Sequence, residues 1–170
     1  MILPFSTEFP NGEPTHFVEK IWTSLFPICD IETDEWVKKM QQCSSKGFGF
    51  GSPKVKDFLG DVKPKRHTLR EDKTNRWKVG NKIHPVVFNR SKNQFQFTPI
   101  IECKSIQNIE IINHSEYMND TEIIVDGHTL DIHEMQRLAW NDGFDNLIAF
   151  HLYFQEDFKG KIIHWTDIKY

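Results

Sequence analysis

Cysteine is scarce. Cys29, Cys43 and Cys103 are odd in number, and none belongs to a Cys-x-x-Cys pair. A disulfide framework is therefore not expected, and a reducing cytoplasm is the expected location. Long apolar runs are also lacking: no stretch approaches the ~18–20 consecutive apolar residues that a membrane span needs. The opening Met1-Ile2-Leu3-Pro4-Phe5 has no basic leader and no extended apolar segment, so it reads as a first β-strand and not as a secretory signal. Eight histidines form neither an HExxH motif nor a Cys/His ligand spacing, and no metal or cofactor is expected. Glycine is sparse at nine; the three between Ser44 and Pro53 match neither a Walker loop nor a dinucleotide fingerprint.

What is present can fill a core. Fourteen Phe, five Trp and a hydrophobic share of 38% in 170 residues suit a single domain spanning 1–170 and exclude wholesale disorder. Charge is unevenly spread around a formal net of -3. From Lys54 to Lys92, twelve basic residues face four acidic ones, a local net of +8. From Ser105 to Asp157, eleven acids face the single base Arg137, a local net of -10. Such asymmetry either offers phosphates a basic pole or lets the two halves pair with each other.

The pattern predicts an α+β domain with a mostly antiparallel, curved and barrel-like sheet. Thr15 is placed to cap a helix carrying Phe17, Val18, Ile21, Trp22 and Leu25, ended by Pro27. Thr33 opens a second helix that runs to about Cys43. Strands are expected at 67–70, 82–88, 95–103 and 105–112. Strands at 122–125 and 128–130 flank the hairpin signal Asp126-Gly127. Asp131 caps a helix stopped by Gly143, Asp145 starts another, and 161–170 forms a closing strand that returns to the sheet of 68–112.

Chemistry concentrates in Lys63–Gly80. Alternation along a strand puts Thr68 and Arg70 on one face. A threonine hydroxyl becomes nucleophilic when a base takes its proton, and Lys65 is the candidate base if it lies on the bend entering the strand. As bare residues these also fit a solvated basic turn. Trp77 either stacks on a base, as aromatics do in single-stranded RNA recognition, or anchors its loop. Cys103 ends an apolar strand and reads as a buried structural thiol.

Lys65-x-x-Thr68-x-Arg70, followed by Arg76-Trp77-Lys78-x-Gly80-x-Lys82, resembles the ASCH domain signature of the PUA-like β-barrels. Leu3-Pro4-Phe5 with Phe17 to Ile21 resembles that family's first strand and helix, Ala139 to Phe144 its acidic turn, and Gly160 to Trp165 its final strand. Residues 23–62 would be a helical insertion. The resemblance implies a groove between barrel and helices that takes an RNA base or a modified nucleoside or nucleotide, with Arg66, Arg70, Arg76 and Trp77 as substrate contacts. It also implies an alternative, an amidohydrolase acting on acetylcytidine. There Thr68 is the nucleophile, Lys65 the base, and Asp142 stands where the family has a glutamate, one methylene longer. A protein-interaction adaptor built on the helices of 23–62 is a third reading. Oligomeric state is not specified by any of these features.

Overall fold

The computed structural model describes residues 1–29, 33–49, 62–114 and 120–170. In chain order the first elements are β1 (Ile2–Pro4), α1 (Phe17–Leu25), α2 (Asp34–Ser45), β2 (His67–Arg70), β3 (Lys82–Val87), β4 (Phe95–Gln96) and β5 (Ile101–Glu102). They are followed by β6 (Ser105–Asn113), β7 (Thr121–Val125), β8 (His128–Thr129), α3 (Ile132–Asn141), α4 (Leu147–Tyr153) and β9 (Phe158–His164). Two compact units result: Met1–Lys65 with Asn81–Glu102, and Arg66–Gly80 with Cys103–Tyr170. The class is α+β with mostly antiparallel sheets, and neither sheet closes into a barrel among the described residues. No helix of the described residues is long and apolar enough to cross a membrane.

In the first unit, β3 is flanked by β1 on one side, in parallel register Leu3↔Pro85, and by antiparallel β4 and β5. The expected strand over 95–103 is two short pieces with a break between them. Proline is the physical reason: Pro85 has no N–H to offer the neighbouring strand, and Pro99 interrupts the ladder from the other side. The carbonyl of Pro85 still accepts from Phe97 N at 3.2 Å. Helix α1 buries Val18, Ile21, Trp22 and Leu25 as its spacing requires. Its N-cap is His16 in a left-handed conformation (φ 53), one residue beyond the expected Thr15. Thr15 Oγ1 instead accepts from Phe17 N at 3.3 Å. Thr33 does occupy the N-cap of α2, though its side chain makes no capping bond. Helix α2 docks through Trp36, whose ring meets Trp22 edge-on at 5.3 Å. Trp22 Nε1 and Cys43 Sγ both donate to the carbonyl of Phe97, at 3.2 and 3.1 Å. Burial pushes the Cys43 thiol up to about 12, so it stays protonated. Within 23–62, helix accounts for the end of α1 and for α2, while 30–32 and 50–61 lie outside the described residues.

The second unit is a five-stranded antiparallel sheet in the order β2-β9-β6-β7-β8. Residues 68–112 thus divide between two sheets, where one curved sheet is expected from the sequence. Ser105, Gln107, Ile109 and Ile111 alternate inward along β6, the period of a half-buried strand. Asp126 and Gly127 have φ of 50 and 86, as a tight two-residue hairpin between β7 and β8 demands. Asp131 accepts from the amides of His133 and Glu134, and Glu134 reciprocates in a capping box that starts α3. Asn146, not Asp145, caps α4, accepting from Ala149 N at 2.8 Å. The closing strand β9 is Phe158–His164, earlier than the expected 161–170. Cys103 is buried, and its thiol donates to the Ser105 carbonyl at 3.5 Å.

Candidate functional site

Strand β2 presents His67, Thr68 and Leu69 buried in succession, with Arg70 half-buried at its end. In the paired register His67 stands opposite His164 of β9 and Thr68 opposite Ile163. Helix α3 supplies the second wall. Its last turn closes in a Schellman arrangement, Phe144 N to Ala139 O at 3.0 Å and Gly143 N to Trp140 O at 2.9 Å. Gly143 adopts the left-handed φ of 90 that this closure needs, and so fixes Asp142 as the C-cap. Arg66 N donates to Asn141 O at 2.7 Å, which brings the entry of β2 against the end of α3.

A polar cluster follows from that junction. His67 Nδ1 faces Asp142 Oδ1 at 3.6 Å, and both side chains are almost wholly buried. His67 Nε2 meets the Tyr170 hydroxyl at 2.7 Å, and Asn141 Nδ2 donates to the same hydroxyl at 2.8 Å. The His164 ring lies 5.1 Å from that of His67. Both ring nitrogens of His164 are buried with no hydrogen-bond partner among the described residues. Burial first, then His67 and Lys169, lower its pKa to about 3, so the ring is neutral. Burial likewise presses the Arg70 guanidinium down from its ordinary value, with Asp142 and Tyr153 opposing.

Of the residues singled out in the sequence, Arg66 and Asp142 meet at this junction of β2 and α3 and Arg70 lies within electrostatic reach of Asp142, whereas Thr68 is buried within β2 opposite Ile163. Arg66 Nη1 also reaches Asn141 Oδ1 at 3.5 Å. Arg76 and Trp77 sit further along, in the loop after β2, where Asp72 accepts from their amides at 2.8 and 2.9 Å. Arg76 is exposed, whereas Trp77 is buried and anchors that loop. Lys65 belongs to the first unit. Its amide donates to Lys20 O at 2.9 Å, and its ammonium lies 4.5 Å from the Phe17 ring centre and 6.0 Å from that of Phe5. Lys65 is only 1% exposed, Thr68 3% and Asp142 4%.

The sequence reading overlooked His67, Asn141, His164 and Tyr170. His164 is buried and makes no side-chain hydrogen bond among the described residues. Only the β2–β9 register and the path of 165–170 bring these groups together, and neither leaves a local motif. Among the described residues no three His, Cys, Asp or Glu side chains gather into a set that could hold a metal ion. No protein-family model, curated protein or solved structure is significantly similar to the chain.

Proposed function

We propose that the chain is an ASCH-type, PUA-like domain that binds an RNA base or a modified nucleoside through Thr68, Asp142, Arg66 and Arg70 of the second unit. One observation carries the reading. Asp142, which matches the family's acidic position, is buried where β2 enters against the end of α3, with Arg66 held to the neighbouring Asn141 and the Arg70 guanidinium within its electrostatic reach. Aspartate is almost never buried to that degree without a partner or a specific task. The order of strand β2, the turn at Asp142, helix α4 and strand β9 also follows the order of the resembling motifs. Binding of acetylcytidine, measured by calorimetry, tests it. Thr68→Ala is expected to bind within about threefold of the native protein, and an Arg66→Ala, Arg70→Ala double variant to weaken binding by about tenfold or more, since charge-assisted contacts are lost. Equal binding by the native protein and the double variant contradicts the assignment.

A further inference from the structure

We propose that His67 is a positioning residue that holds the Asp142 carboxylate in place, and that its ring is itself set by Tyr170 and Asn141. The inference rests on the nucleoside-binding reading for its purpose, but on geometry for its form. The Tyr170 hydroxyl accepts from Asn141 Nδ2 at 2.8 Å and has one proton of its own to give. Two acceptors are in range: His67 Nε2 at 2.7 Å and the Arg137 carbonyl at 3.5 Å. The short contact takes the proton, so Nε2 accepts and the ring hydrogen sits on Nδ1. Burial raises the tyrosine pKa above its ordinary value, which keeps that hydroxyl protonated as a donor.

The Nδ1–H is thereby aimed at Asp142 Oδ1, 3.6 Å away. That is ion-pair range and longer than a formed hydrogen bond, so a movement of under about 1 Å completes the contact. His164 packs edge-on against His67 from the β9 side and, being neutral and without a hydrogen-bond partner among the described residues, steers the ring by shape alone. Asp142, Tyr170 and His164 each face His67. The arrangement parallels the way a second carboxylate or carbonyl fixes the tautomer of a working histidine, with the roles exchanged: here a histidine fixes a carboxylate.

Nitrogen-15 NMR of histidine-labelled protein reads the tautomer directly. At neutral pH His67 is expected to carry its proton on Nδ1, and Tyr170→Phe and Asp142→Asn should each shift it towards a mixture. A dominant Nε2–H tautomer, or no change in either variant, overturns the proposal. A second measurement separates positioning from mere packing. His67→Asn places an amide donor where Nδ1–H was and should bind acetylcytidine within about threefold of the native protein, whereas His67→Leu should bind about tenfold more weakly or worse. Equal loss in both variants, with melting temperatures unchanged, contradicts positioning. Failure of the native protein to bind acetylcytidine removes the nucleoside reading, and the tautomer measurement then decides the His67–Asp142 pairing by itself.

Discussion

Asp142 occupies a costly position. As C-cap of α3 its carboxylate meets the negative end of the helix dipole, where a cation would be favoured, and it is almost wholly buried. A lysine or arginine at that position would suit the helix better, so the aspartate is explained by what surrounds it: His67 across the gap and Arg70 within electrostatic reach. His164 is costly in a different way. Its pKa of about 3 in the fold lies far below the usual 6.5, so between those values the unfolded chain binds a proton that the folded chain refuses. Its stabilising contribution is complete above about pH 6.5 and falls with acidification, by up to about 1.4 kcal/mol per pH unit. Replacing it by a ring that cannot titrate, His164→Phe, should flatten the decline of unfolding free energy between pH 6 and pH 5. Denaturant titrations at the two pH values check this; an unchanged slope would show that His164 is solvated.

Elements differ in how openly their residues declare them. The Asp126-Gly127 hairpin and the helix opened by Asp131 were legible because each depends on a local steric or hydrogen-bonding requirement that only a few residue types meet. The interruption between β4 and β5 was not legible. It arises from two prolines, Pro85 and Pro99, that are distant in sequence. The early start of β9 was hidden for a related reason: Phe158 and Lys159 look like loop until their pairing with Ile111 and Glu110 is known. Gly160 shows what that pairing requires. A Cβ there would fall inside van der Waals contact with the Arg70 carbonyl and 2.7 Å from a ring carbon of Phe158. Because the first neighbour is backbone, Gly160→Ala should spread β2 from β9 and destabilise the protein by about 1–3 kcal/mol. Thermal unfolding of the variant checks this, and a loss near zero would mean that the two strands separate freely. Since β2 carries Thr68 and Arg70, acetylcytidine binding should weaken in step.

Across the whole molecule, composition disclosed the α+β class and the uneven charge but not the division into two sheets, which depends on long-range pairing. Part of the basic surplus of 54–92 is met locally: Lys73 pairs with Glu71 at 3.1 Å and Lys82 with Glu102 at 2.7 Å. Exposed pairs of this kind contribute only ~0–1 kcal/mol and leave the cations open to competition from phosphates. If RNA is the ligand, affinity should fall steeply with ionic strength as counterions are released, and Arg66→Glu with Lys73→Glu should weaken all sequences alike. Filter binding at several salt concentrations tests this; salt-independent binding favours a free nucleoside.

The central claim is that Thr68, Arg70 and Asp142 line the place where a modified base is held. The most direct measurement is a titration of the native protein with acetylcytidine, following assigned backbone amide resonances. Saturable shifts concentrated at 66–70 and 141–144 are the expected result. Shifts confined to other segments, or none at millimolar ligand, would contradict it.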